Sequence, residues 1–169
     1  MAKFVLTRTH FYPDWTHGTL TIEGLQFSCY TQEKCSPRMA GKVMRPSLCL
    51  AVPADVYRLG FANRLGFASS YVYPFTPTFS CRGYKPLFFQ PCSGGLLRPG
   101  CINVGTKFVT EHTLLGFDDV MGALQQLVYS RKLKLKETHW LHIVEGEDAT
   151  VVDEDEEEDL LPDYNFADL

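Results

Sequence analysis

The sequence of 169 residues predicts a mainly β (α+β) fold: a compact β-barrel or sandwich with one packed helix in the C-terminal half and an acidic tail. Short segments that alternate apolar and polar residues are separated by turn residues, which is typical of strands. A single stretch has helical periodicity, and the charge of the chain changes sign near position 145. We expect a β-rich globular domain over residues 1–144 and an acidic tail over residues 145–169.

The first half of the chain predicts five strands. They cover residues 3–8, 18–23, 25–30, 48–52 and 56–61. The second and third are separated by Gly24 alone, so we expect a hairpin there. Residues 31–46 carry four basic side chains and predict a polar loop.

The second half predicts shorter strands around one helix. An aromatic stretch at 71–79 contains two prolines and predicts an irregular edge or a long loop. Further strands are expected at 87–90, 101–105 and 138–144. Asp118 or Asp119 can cap the helix, and the basic pair that follows it suits the negative pole of the helix dipole. The apolar face of the helix consists of Val120, Met121, Leu124, Leu127 and Val128.

The charged residues are divided between the body and the tail. All 16 Lys and Arg lie before position 145 with 8 of the 20 Asp and Glu, so the body carries +8 and the tail −12. The run at 153–159 is entirely acidic and repels itself, which predicts disorder in isolation. Apolar and aromatic residues return after this run. The tail is either a solubilising terminus or a docking peptide, and under the second interpretation, which we favour, these residues are the partner contacts. They are Leu160, Leu161, Tyr164, Phe166 and Leu169.

Composition argues against several classes of protein. No segment approaches the roughly 20 apolar residues of a membrane span, and the first residues lack the apolar core and cleavage site of a signal peptide. We therefore expect a cytoplasmic location, with incorporation in a phage-like particle or secretion apparatus as a further option. Six cysteines allow three disulfides, but free thiols are favoured in the absence of a secretion signal. Without a C-x2-C pair, neither a metal nor another cofactor is expected.

One segment has the character of a reactive site. Cys101 follows Gly100, and a glycine there lets the backbone approach whatever the sulfur faces. A thiolate is a strong nucleophile, but it needs a base, usually a histidine, to take the proton of the thiol. None of the five histidines lies near Cys101 in the sequence. The local sequence therefore contains one half of a catalytic site.

Four motifs follow one another along the chain in a recognisable order. They are Gly18-Thr19-Leu20-Thr21-Ile22, Thr31-Gln32-Glu33, Val52-Pro53-Ala54-Asp55-Val56-Tyr57, and Gly100-Cys101-Ile102 closing on Gly105. This order resembles a small bacterial and bacteriophage domain family of uncharacterised function. The family's His…Gly-Cys pattern is itself similar to the signature of L,D-transpeptidases, whose cysteine attacks a peptidoglycan stem peptide. The resemblance implies Cys101 as the nucleophile and Asn103 as the polar residue that accompanies it.

Two positions depart from that pattern. Gln90 stands where the family carries histidine, and Pro99 stands where transpeptidases carry a second one. A neutral amide is not a general base and does not form an ion pair with a thiolate. The loss of a triad member costs about 10⁴-fold in rate. Two alternatives stay open: a distant histidine (His112, His139 or His142) that folds back toward the sulfur, and a Cys92–Cys101 disulfide or redox pair.

Together these observations favour a non-catalytic protein-binding or structural assembly module of a bacterial, phage-like or contractile-apparatus system. Its acidic tail is expected to engage a protein partner or a neighbouring subunit of a homo-oligomer. The alternative is an L,D-transpeptidase-like cysteine enzyme that attacks peptidoglycan peptides through Cys101. Nucleic-acid binding by the basic body is a third and weaker interpretation, because the basic residues are scattered and no DNA- or RNA-binding signature is present.

Overall fold

The computed structural model describes residues 1–44, 46–63, 75–92 and 97–152. In these residues the strands are β1 (Lys3–Phe11), β2 (Trp15–Ile22), β3 (Ser28–Lys34), β4 (Val56–Asn63), β5 (Phe75–Phe79), β6 (Leu87–Phe88), β7 (Asn103–Gly105), β8 (Lys107–Thr110), β9 (Thr113–Leu115) and β10 (His139–Val151). The helices are α1 (Pro37–Val43) and α2 (Phe117–Tyr129), and a 3-10 turn covers Ser47–Cys49. The fold is mainly β, as the sequence predicts.

Eight of the strands form one curled sheet in the order β6-β5-β4-β10-β1-β2-β3-β7. Neighbouring strands are antiparallel except β1 and β10, which are parallel. The two edges of the sheet meet through a parallel bridge between Phe89 and Ile102, next to β6 and β7. This curl gives the sheet the shape of a half-barrel, and β8 and β9 form a separate hairpin.

The main core fills the inner face of the curled sheet. Its strand residues include Phe4, Leu6, Leu20 and Leu141, which are inaccessible to solvent. The predicted helix supplies Val120, Met121 and Leu124 as buried members, with Leu127 and Val128 packed against them. The predicted apolar face of α2 is therefore confirmed. Neither helix is long and apolar enough to cross a membrane, as judged on the described residues.

The start of α2 differs from the prediction. Gly116, with a φ of 99°, is the N-cap residue, and the helix begins at Phe117. Asp118 and Asp119 lie in the first turn instead of capping it. Carboxylates there still interact favourably with the positive end of the helix dipole.

Two predictions for residues 31–52 are wrong. The polar loop expected at 31–46 contains the end of β3 and helix α1, which Ser36 caps by accepting from the N–H of Arg38. The strand expected at 48–52 begins as a 3-10 turn, and its apolar residues pack without joining the sheet. The N–H of Ala51 donates to Cys35 O, and the carbonyl of Val52 accepts from Arg8, so these backbone groups are satisfied without a strand partner.

The last strand is longer than predicted. β10 does not end at Val144 but continues to Val151, so the first residues of the acidic tail belong to the sheet. Glu145, Glu147 and Asp148 have exposed side chains, so their charges remain in water while their backbone is in the strand. The segment lies beside β1, where Val151 is opposite Phe11. The distal tail, which we define as residues 153–169, lies outside the described residues.

Arg8 and Glu33 form an ion pair inside the sheet. Arg8 Nε donates to Glu33 Oε2 at 3.0 Å and Nη2 donates to Oε1 at 2.8 Å, and both side chains are at most 1% exposed. Nη2 also donates to the carbonyl of Val52 at 2.6 Å. Burial is the largest single influence and would lower the pKa of Arg8, but the charge of Glu33 and its hydrogen bond, with further contributions from Glu145 and Tyr57, together raise the pKa. The charged guanidinium therefore holds β1, β3 and the segment before β4 together.

The strand between the two partners packs closely against its neighbours at one glycine. β2 lies between β1 and β3, and Gly18 is opposite both Arg8 and Thr31. A Cβ atom on Gly18 would lie 2.5 Å from the carbonyl oxygen of Thr7 and 2.8 Å from Thr31 Oγ1. Close packing at this point therefore requires glycine.

Removing one partner of the pair is expected to destabilise the protein by about 3–5 kcal/mol, because the other charge remains buried and unpaired. Urea unfolding of Arg8→Met and of Glu33→Leu should show this loss as a lower midpoint. The double variant Arg8→Met/Glu33→Leu should lose less stability than either single variant, because it buries no charge. Single variants within about 1 kcal/mol of the parent protein would show that the fold does not depend on the pair.

Candidate functional site

The Gly-Cys motif lies at the end of a tight turn. The N–H of Cys101 donates to Arg98 O at 3.0 Å, and Gly100 has a φ of 81°. A type II turn favours proline at its second position and glycine, which readily adopts a positive φ, at its third. Pro99 and Gly100 occupy these two positions. A Cβ on Gly100 would also lie 2.7 Å from Tyr84 Cδ1. Turn geometry and packing therefore account for the glycine before the cysteine.

Cys101 is completely buried. Its relative exposure is 0%, and it belongs to the main core together with Ile102 and Val104. A nucleophile must reach the substrate atom that it attacks, and a catalytic cysteine is usually accessible at least in part. In this conformation the Cys101 sulfur is not presented to solvent.

Gln90 has a structural role in the same region. Its N–H donates to Ile102 O at 2.9 Å, which joins it to the segment that follows Cys101. Its side-chain Oε1 accepts from the N–H of Arg98 at 3.2 Å. Arg98 is the first residue of the turn that ends at Cys101, so the amide of Gln90 holds that turn in place. At the position that the family resemblance assigns to a base, the protein thus has a neutral side chain that accepts a hydrogen bond from a backbone N–H.

Asn103 is bound to the neighbouring strand. It is opposite Gln32 in the pairing of β7 with β3, and its Nδ2 donates to Gln32 Oε1 at 3.0 Å. Gln32 in turn donates to His112 O at 2.8 Å. The structure therefore does not join Asn103 and Cys101 in one polar cluster.

Two of the alternative bases have both ring nitrogens occupied. His112 Nδ1 accepts from the indole N–H of Trp15 at 2.7 Å, and its Nε2 lies 2.9 Å from a carboxylate oxygen of Glu111. His139 Nδ1 accepts from a backbone N–H at 2.9 Å, while its Nε2 donates to Lys134 O at 2.8 Å. Neither ring has a nitrogen left to take a proton from a thiol.

The third alternative, His142, is on β10 between two residues of the main core, Leu141 and Ile143. Alternation along the strand directs its side chain to the opposite face from the core that contains Cys101. His17 is buried against Phe108, with ring centroids 3.9 Å apart, and burial is the chief reason why its pKa is lowered to about 3. None of these geometries supplies a base for Cys101.

The cysteines also form neither a disulfide nor a metal site in the described residues. No disulfide joins Cys92 to Cys101 or any other pair of the six cysteines, all of which lie in the described residues. Among the described residues, no group of three or more His, Cys, Asp or Glu side chains is arranged to hold a metal ion.

Sequence analysis missed a cavity beside the Cys101 turn. It has a volume of about 340 Å³, which lies within the range of small-ligand pockets, and we call it the basic cavity. It is lined by Gly83, Tyr84, Lys85, Arg98 and Pro99. The features of the sequence that form it are two turns, at 82–85 and at 98–100, and each turn contains at least one basic residue. They come together because β6 and the Cys101 segment meet where the sheet closes.

Tyr84 and Arg98 are both oriented by other groups. The hydroxyl of Tyr84 lies 3.3 and 3.1 Å from the carbonyl oxygens of Ser47 and Ala51, and its single proton is shared between these two acceptors. Burial is the main reason why the pKa of Tyr84 is raised. The guanidinium of Arg98 lies over the ring of Phe88, 5.2 Å from its centroid. The cavity thus combines an aromatic ring with two cationic side chains, which suits an anionic ligand that has an aromatic or apolar group.

Comparison of the chain with protein-family models, with curated proteins and with solved structures finds no match. The family resemblance and the transpeptidase-like assignment therefore stay predictions. The expected docking residues Leu160, Leu161, Tyr164, Phe166 and Leu169 lie outside the described residues.

Alkylation tests whether Cys101 is a reactive thiol. We expect iodoacetamide to modify exposed Cys49 readily, and Cys101 at least about 10³-fold more slowly, because the buried sulfur meets the reagent only when the core opens. Mass spectrometry of native protein at pH 6 to 9 measures both rates. Fast modification of Cys101 well below its reference pKa of about 8.5 would revive the cysteine-enzyme interpretation.

Restoring the family's histidine provides a second test. Gln90→His should leave the alkylation rate of Cys101 unchanged within about threefold, because a base at this position does not expose the sulfur. It should also lower the free energy of unfolding by about 1 kcal/mol if the Arg98 N–H loses its acceptor. The matched control is Gln90→Ala. An increase in Cys101 reactivity in the histidine variant alone would identify a site that one substitution had disabled.

Proposed function

We propose that the protein is a non-catalytic protein-binding or assembly module that engages a partner protein or a neighbouring subunit through its acidic tail. The resemblance to a bacterial and bacteriophage family suggests a phage-like or contractile apparatus as its setting. The observation that carries the proposal is the way in which the tail is attached to the body.

The tail leaves the body from a fixed point. β10 is an interior strand of the sheet that pairs with β4 over His139–His142, whereas its last residues, Thr150 and Val151, pair with β1 alone. Val152 follows its last residue, is buried, and donates its N–H to Phe11 O at 2.8 Å. Ala149 and Val151 also pack against a small apolar cluster that includes Phe11, Met39 and Leu50. A peptide attached in this way has a defined starting position and direction relative to the body, which lowers the entropic cost of binding at a nearby site.

The charge of the protein favours an electropositive partner surface. The acidic side chains of the described part of the tail are exposed, and the distal tail adds seven consecutive acidic residues and then two aromatic ones. Acidic residues accelerate encounter with a positive surface, and aromatic residues provide most of the contact energy in short docking peptides. A highly charged peptide at the end of an interior strand therefore supports a role in binding.

The surroundings of Cys101 support a module without cysteine catalysis. The thiol is buried, and the side chain of Gln90, at the position of the base, accepts from the N–H of Arg98. The rings of His112 and His139 are hydrogen-bonded to Trp15 and to Lys134 O, respectively. These features favour the binding interpretation over attack on a peptidoglycan peptide.

Deletion of the distal tail tests the proposal. The deletion must begin at residue 153, because removal of Val152 or Val151 would damage the sheet itself. We expect the truncated protein to lose at least about tenfold in partner capture or self-association, measured by quantitative affinity capture and by sedimentation, because the peptide that makes the contacts is gone.

A full-length variant with the acidic residues at 153–159 changed to Asn and Gln is the matched control for length. It should lose the salt-sensitive part of binding, because its peptide has no charge to be screened. Capture and oligomeric state that are unchanged in both variants would contradict the proposal.

A further inference from the structure

The basic cavity presents two cations that the body does not neutralise. In the described part of the chain, neither Lys85 nor Arg98 forms an ion pair, whereas Lys3, Arg38 and Lys134 each have a carboxylate within 4.0 Å. Among the described residues that line the cavity, none is acidic. Arg82 in the adjacent turn adds a third exposed cation. This surface therefore has a net positive charge around a concave site with an aromatic wall.

The distal tail has the complementary chemistry. Its first seven residues are all acidic, and Tyr164 and Phe166 follow them within the same segment. Carboxylates pair with lysine and arginine, and a tyrosine or phenylalanine ring packs against an aromatic or proline wall. A cavity of about 340 Å³ is large enough for one such ring.

The point where the tail leaves the body is connected to the cavity through one short segment. Leu50 packs in the small cluster against which Ala149 and Val151 lie. The next residue, Ala51, accepts from the hydroxyl of Tyr84 in the cavity wall. A chain of 17 residues spans up to about 55 Å when extended, which exceeds the dimensions of a domain of this size. Length therefore does not prevent the distal tail from reaching this cavity.

We propose that the basic cavity is a receptor site for an acidic peptide that carries an aromatic side chain, and that its occupant is the distal tail of the same chain. The inference rests on the proposed function in taking the tail as the binding element. Attachment to the same body gives the tail an effective concentration of the order of millimolar, so a contact too weak to hold a free peptide is populated within one molecule. The docked tail then competes with outside partners for the cavity, and outside receptors compete for the tail.

Zero-length cross-linking of the full-length protein tests this site. A carbodiimide forms an amide bond between a lysine amine and a carboxylate only when the two groups are in contact. We expect Lys85 to be joined to carboxylates of residues 153–159. A mixture of unlabelled and ¹⁵N-labelled protein identifies the chain of origin, since a tail on its own body gives cross-linked peptides of a single isotope. Mixed-isotope products at Lys85 would overturn the assignment to the same chain, and the absence of Lys85 products would overturn the site.

Charge reversal provides the matched comparison. Arg98→Glu retains Lys85 for cross-linking but places a negative charge in the cavity, and it should lower the yield at Lys85 by at least about fivefold. Lys132→Glu makes the same charge change at an exposed position outside the cavity and should leave the yield unchanged. Arg98→Gln removes the charge with less disturbance, and near-ultraviolet circular dichroism verifies that each variant is folded. Equal losses in the Arg98 and Lys132 variants would show that the contact is not specific to the cavity.

The two proposals fail in different ways. If deletion of the distal tail abolishes partner capture but Lys85 forms no cross-link to the tail, this inference is overturned and the proposed function stands. If cross-links form at Lys85 and deletion changes neither capture nor oligomeric state, the docking site stands and the tail is not the element that binds partners.

Discussion

The buried pair of Arg8 and Glu33 is the interaction around which the body is organised. It lies within an otherwise largely apolar core, and its guanidinium also binds the carbonyl of Val52. Two strands and an irregular segment are thus held by one cation. A buried charge is costly unless it is paired and hydrogen-bonded, so this arrangement tolerates few alternative registers of β1 against β3. Gly18 allows the intervening strand to pack closely against Thr7 and Thr31, on the two neighbouring strands.

The consequences of this pair extend to both candidate binding elements. The segment that Arg8 holds through Val52 includes Ala51, whose carbonyl orients Tyr84 in the basic cavity. The preceding residue, Leu50, packs in the cluster against which the end of β10 lies. The cavity and the root of the tail are therefore built on the same stretch of backbone.

The sequence predicts the general fold because apolar residues that alternate, or that recur with helical periodicity, indicate an element with one buried face. Most of the strands and α2 have such a face. It does not predict that Glu33 is buried, because a charged residue ordinarily indicates solvent. The four basic side chains at 31–46 likewise indicate a solvent-exposed loop, although the end of β3 and helix α1 lie there. Similarly, the exposed carboxylates of β10 lie on a strand that pairs with β1 up to Glu145 and again at Thr150 and Val151, with an irregularity between, and charge alone does not reveal backbone pairing. The strand expected at 48–52 has apolar side chains, but its backbone groups are satisfied by Cys35 and Arg8.

The candidate site shows the same limit of local sequence. Gly100 and Cys101 fit a catalytic motif and also fit the end of a type II turn, and only three-dimensional burial separates the two interpretations. Gln90 could be identified as a poor base from its chemistry, but its bond to the Arg98 N–H depends on a long-range arrangement. The basic cavity combines two turns that are distant in sequence, so no single motif indicates it.

The central claim is that the acidic tail is rooted in the sheet as the end of an interior strand. Amide hydrogen exchange at Val152, followed by NMR, tests it most directly. The account predicts that this amide opens with the same free energy as the amides of β1, since its bond to Phe11 breaks only when the sheet does. Exchange at the rate of an exposed loop would contradict the claim.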